Sequence, residues 1–89
     1  MHRLLLYFLG LFAVTLVPAG QATAQDAIRC VNKDGTVSPE VSIAACSQEI
    51  ASGKYKPSQL AVAYHARGAA HFRKGEFDRA IADLDESIR

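Results

Sequence analysis

The sequence predicts an all-α protein: antiparallel helix–turn–helix hairpins in a short array behind an apolar N-terminal leader. Three observations carry this. Apolar and small residues recur at spacings of three and four in Ile43-Cys46-Ile50 and again in Phe77-Ala80-Ile81-Leu84-Ile88, one stripe of a helix in each case. Residues 59–74 between them are rich in alanine, the strongest helix former. Gly53, Pro57 and Gly75 interrupt these stretches with connectors short enough to fold neighbouring helices back on each other.

Residues 1–24 read as a signal peptide. Arg3 makes the start basic, Leu4–Val17 is apolar apart from Gly10 and Thr15, and Pro18-Ala19-Gly20 breaks the run. Ala22-Thr23-Ala24 then offers small residues to a peptidase, with cleavage expected after Ala24 and Ala19 as the second position. The apolar run of 14 residues is shorter than the roughly 18–20 that cross a bilayer. The expected location is therefore periplasmic or secreted, with no membrane span after cleavage.

Export changes the reading of Cys30 and Cys46. Two cysteines of a short chain in an oxidising compartment pair with each other. A loop of this length is stabilised by about 3 kcal/mol on the chain-entropy account, a large share for a small domain. Two distant cysteines are too few for a metal site, and the chain has no Cys-x-x-Cys redox motif.

Residues 25–37 show no clear period, and Asn32-Lys33-Asp34-Gly35 has turn composition. This segment is expected to be an irregular lead-in tethered by Cys30. Ser38-Pro39-Glu40 starts the first helix: Ser caps free amides, Pro suits the first position and Glu faces the positive end of the dipole. Ser58 is the expected cap of the helix over 59–74, where Leu60, Tyr64, Gly68 and His71 share one side. Gly68 costs about 1 kcal/mol relative to Ala at mid-helix, so it is expected to admit a second helix at close range. The last helix is expected over 76–89, with Asp78, Asp83, Asp85 and Glu86 on a solvated face.

Charge excludes one class of function. Removing residues 1–24 takes away Arg3 and no acid, which leaves nine cations against nine anions. A nucleic-acid binder carries a basic excess. The chain also lacks Ser-x-x-Lys, a nucleophile elbow and a phosphate loop, so no catalytic residue and no cofactor is expected. His65 and His71 lie six apart, about 120° from each other around a helix, which is wrong for a helical metal pair at spacing four.

Tyr64, Gly68, Phe72, Gly75, Phe77, Asp78, Ala80, Ile81, Leu84 and Ile88 resemble the tetratricopeptide repeat pattern. The likeness covers residues 58–89, just under one repeat. Arg67 stands where that pattern has an apolar residue, and His71 where it has an aromatic. A weaker echo, Ser42-Ile43-Ala44 through Ile50 against Ala80-Ile81-Ala82 through Ile88, lies at an offset of 38 and makes residues 38–89 about one and a half repeats. On that reading 39–52 is the second helix of a first repeat whose first helix is missing. The resemblance implies a protein-interaction module, similar to small exported bacterial repeat proteins, that binds a peptide or helix of a partner. It implies that Val62, His65, Ala69, Phe72 and Arg73 line the inner groove. Such repeats are stable in copies of about three or more, so the Ile81, Leu84 and Ile88 side is expected to be covered by another chain, by a second copy or by a continuation of the array.

Overall fold

The computed structural model describes residues 22–89. Four helices follow one another among them: α1 (Ala24–Val31), α2 (Pro39–Ser52), α3 (Pro57–Arg73) and α4 (Phe77–Ser87). The apolar run expected as the core of the leader lies outside the described residues.

Each helix runs antiparallel to the one before it, as the paired residues show. Cys30 and Cys46 are joined by a disulfide, and Ser42 Oγ donates to the Cys30 carbonyl at 2.8 Å. Between α2 and α3, Arg67 donates to Ser47 Oγ and Lys74 approaches Glu40. Between α3 and α4, Arg67 pairs with Asp83 and His71 with Glu76. In the last two pairings one number rises as the other falls. Helix α1 also touches α3, while α2 and α4 do not meet. The molecule is thus an array of two helical hairpins with α1 and α3 side by side.

Local chemistry explains most of the helix ends. Ser38 accepts from the Val41 amide and Pro39 opens α2, which Gly53 closes at φ 68°. Two ends differ from expectation. Helix α3 begins at Pro57, one residue before the expected Ser58 cap: Lys56 is extended, as a residue before proline must be, and its amide donates to Gln59 Oε1 at 2.9 Å. The lead-in expected to be irregular is helical from Ala24 to Val31. Thr23 and Asp26 form a capping box, the Asp26 amide donating to Thr23 Oγ1 and the Thr23 amide to Asp26 Oδ2, and this reciprocal pair starts a helix of only two turns. The expected turn follows it, with Asn32 left-handed at φ 50° and its side-chain amide bonded twice to the Val37 backbone. The cleavage point expected after Ala24 falls at the first residue of α1, past its Thr23 cap.

The two hairpins repeat each other at the offset of 38. Ser42, Ala45 and Cys46 of α2 are buried, and so are Ala80 and Asp83 of α4, with Leu84 half-buried. Cys30 and Gly68, at the same offset in α1 and α3, are both buried. A helix, α1, therefore stands before α2 as α3 stands before α4. Its length, its longer connector (residues 32–38) and its disulfide set it apart from α3.

Small residues fill the interior. The buried apolar side chains are Cys30, Ala45, Cys46, Ala63, Ala70 and Ala80. Close packing of helices around such residues leaves large side chains no room inside, and Ile28, Val31, Val62, Phe72, Phe77, Ile81 and Ile88 all stand more than half exposed. At Gly68 a Cβ would meet Leu84 Cγ at 3.1 Å, the Ala80 carbonyl at 3.2 Å and Asp83 Cβ at 3.3 Å. The missing side chain is what lets α4 approach α3.

Candidate functional site

Helix α3 presents His65, Ala69, Phe72 and Arg73 on one stripe, at spacings of four, three and one. Together with Val31 and Asn32 at the end of α1 they line a groove of about 430 Å³. Four of the five residues expected to bind a partner are thus brought together. Val62, the fifth, lies one turn further along, in a neighbouring depression of about 380 Å³ shared with His65 and Ile88. His65 belongs to both, so the two form one strip along α3.

Phe72 is 61 % exposed and meets Phe77 edge-on, ring centroids 5.2 Å apart. That contact fixes the ring at the rim of the groove while leaving a face open. Two of the four polar side chains lining the groove, Ser42 and Asn32, are already committed. Ser42 Oγ holds the Cys30 carbonyl, and both polar atoms of the Asn32 side chain hold Val37. Arg73 makes no ion pair with any described residue. No carboxylate lines either depression.

The acids of α4 divide in two. Asp78, Asp85 and Glu86 are exposed, but Asp83 is 6 % exposed and does not belong to a solvated face. Arg67 grips it with two bonds, Nε to Oδ2 at 2.8 Å and Nη2 to Oδ1 at 2.7 Å. The hydrogen bond to Asp83 is the main cause that raises the Arg67 guanidinium, whose cation also stands 5.4 Å from the Tyr64 ring centroid. The two departures from the repeat pattern thereby acquire a role. Arg67 neutralises a buried acid, and buried His71 meets the Glu76 carboxylate through Nδ1 at 2.9 Å. That bond is the chief cause holding the Glu76 carboxyl below the usual range. These groups tie α3 to α4 behind the groove and do not open into it.

Of the edge expected at Ile81, Leu84 and Ile88, Ile81 and Ile88 are exposed while Leu84 turns inward against Gly68. A further apolar depression, absent from the sequence reading, lies on the outer face of α1 around Ile28, Val31 and Val37. The signal for α1 was present: Thr23-Ala24-Gln25-Asp26 is a capping-box spacing, followed by Ala27 and Cys30 three apart.

Among the described residues no three His, Cys, Asp or Glu side chains are grouped to hold a metal ion, and no helix is long and apolar enough to cross a membrane. No family model, no curated protein and no solved structure matches the chain.

Proposed function

We propose that the chain is an exported interaction module of tetratricopeptide-repeat type, which holds a segment of a partner protein along the α1/α3 groove. The observation that carries this is the inverted distribution of apolar residues: alanines and cysteines inside, Val62, Phe72 and Ile88 outside. Water-facing apolar side chains grouped along one strip mark a binding surface rather than a solvated one. The hairpin order, the close approach at Gly68 and the placing of the groove on α3 support the repeat reading. The basic start, apolar run and small-residue exit of residues 1–24, together with the Cys30–Cys46 bond, support export through to an oxidising compartment.

The test is a random peptide array on the oxidised chain, read by amide shifts. Peptides that bind are expected to shift residues 65–73, and Phe72→Ala to weaken them about tenfold, as truncating an aromatic anchor does. If no sequence shifts those amides, the proposal fails. A second reading is favoured by the exposed flank of α4, where Ile88 is 83 % exposed: the chain pairs with its own copy there. Sedimentation as a monomer at high concentration removes it.

A further inference from the structure

A buried acid without a partner lies near the start of α1. Glu49 is 6 % exposed, and its Oε1 accepts from no donor. Leaving a carboxylate buried and unpaired is costly. Burial raises this carboxyl, and the Asp26 charge adds to the rise. The register of α1 against α2 brings the two acids to one place. Glu49 stands three residues past Cys46, and Asp26 four residues before Cys30. Each therefore lies about one turn beyond the disulfide, at the end where α1 starts and α2 stops.

The cleavage expected after Ala24 falls at this same end. Hydrolysis of the Ala24–Gln25 bond by water leaves a carboxylate on Ala24 and an ammonium on Gln25. Taken alone, that cut harms α1 twice. It removes Thr23, whose hydroxyl accepts from the Asp26 amide, and it puts a cation at the positive end of the helix dipole. It also frees the Asp26 carboxylate, which otherwise accepts from the Thr23 amide and hydroxyl. An ammonium held between Asp26 and Glu49 offsets both harms and gives the buried acid its partner.

We infer that Glu49 and Asp26 form a binding site for the chain's own new N-terminus: the Gln25 ammonium, released by cleavage after Ala24, donates to Glu49 Oε1 and to the Asp26 carboxylate and so replaces the Thr23 cap. The inference rests on the export reading above and is independent of the groove. An ammonium has three donors, enough for both acids, and its bonds to carboxylates are charge-assisted. Arg29, the one cation within α1, lines an outer depression with Asp26 and Gln48 that does not include Glu49. Processing thereby acquires a consequence for the fold, because the exported form gains a contact that the precursor lacks.

The test produces the full chain in an exporting bacterial host, purifies it oxidised and reads its mass, which should be that of a chain beginning at Gln25. An N-terminal glutamine supplies its own control. Its amine nitrogen bonds its side-chain amide carbon and ammonia leaves, which deletes the charge and alters no other residue. The open and cyclised forms, separated by charge, are unfolded in denaturant with and without Glu49→Gln. Cyclisation should lower the folding equilibrium constant about tenfold, the size of a charge-assisted hydrogen bond, and should have no such effect once Glu49 is replaced. Glu49→Gln should itself weaken the open form. It should stabilise the cyclised form, where the acid lacks a partner as it does in the described residues, which keep Thr23. Equal loss on cyclisation with and without Glu49 overturns the pairing and leaves export standing. A chain cut after Ala19 overturns the pairing together with the cleavage point, and an uncut chain overturns the export reading as well.

Discussion

At corresponding points of the two hairpins, 38 residues apart, stand a covalent bond and an absent side chain. Cys30 and Cys46 join α1 to α2 with their Cα atoms 4.6 Å apart. At the same offset Gly68 and Leu84 press α3 against α4. Both devices bring two helices close, and the difference follows from length. Helix α1 has 8 residues and α3 has 17. An isolated helix as short as α1 is not stable in water, and it has little surface to bury, so a cross-link replaces the missing area. The longer pair has enough contact to hold by packing, and adds a partly buried ion pair at Arg67–Asp83. The groove inherits this division, because one wall is the disulfide-held end of α1 and the other is the face of α3.

Breaking the covalent side has the largest expected effect. Cys46→Ser should cost about 3 kcal/mol, read by denaturant unfolding, and amides 24–31 should lose exchange protection before those of α3. Equal loss across both hairpins would show that they are one cooperative unit. The comparison is sharpened by transplanting the bond: Gly68→Cys with Leu84→Cys should form a second disulfide on oxidation, visible as a loss of two mass units per bond formed and as thiols that no longer alkylate. A pair that stays reduced would break the equivalence of the two positions.

The polar side of the α3/α4 contact comes next. Arg67→Ala leaves the Asp83 carboxylate buried without its partner and should cost about 2 kcal/mol, below the usual figure for a buried pair because Arg67 is partly open to solvent. Adding Asp83→Asn should recover part of that loss; a purely additive double variant would mean that the pair contributes no coupling. Gly68→Ala has a smaller expected cost, about 1 kcal/mol net, since the crowding at Leu84, Ala80 and Asp83 outweighs the gain in helix propensity. A stabilised Gly68→Ala protein would show that the helices can part without penalty.

The smallest effects concern pH, and the two hairpins respond with opposite sign. In the second, Glu76 is held low chiefly by its hydrogen bond to His71. Its stabilisation is present above the ordinary carboxylate range and is lost as pH falls through its folded value. In the first, burial raises Glu49, with the Asp26 charge adding to it, and Glu49 Oε1 has no hydrogen-bond partner. A raised acid favours its protonated form, so Glu49 weakens the fold as pH rises through its folded value. Glu76→Gln should flatten the acid limb of the stability profile, and Glu49→Gln should raise stability at neutral pH while leaving acid pH unchanged. Matching profiles for the two variants would remove the distinction.

The helical class, the stripes of α2 and α4, and the close approach at Gly68 were legible because they depend on spacing and on single-residue chemistry. Helix α1 was not, although its capping box was written in Thr23 and Asp26. Two turns are too few for a periodic pattern to stand out, and the helix persists because Cys30 anchors it. Asp83 was misread for a different reason. An acid near the core stripe looks solvated until the facing helix is known, and only antiparallel packing brings Arg67 across to it. The groove was readable on the α3 side, where His65, Ala69, Phe72 and Arg73 share a stripe, and hidden on the α1 side, where Val31 and Asn32 enter by tertiary contact.

By itself the sequence determined that three helices lie between residues 38 and 89 and roughly where each is interrupted, since caps, prolines and glycines act within a few residues of themselves. Tertiary structure alone decided which charges are buried together, which polar groups lining the groove are already used, and that the large apolar side chains end up outside. Those outcomes depend on residues tens of positions apart meeting at one place, and no local preference encodes that meeting.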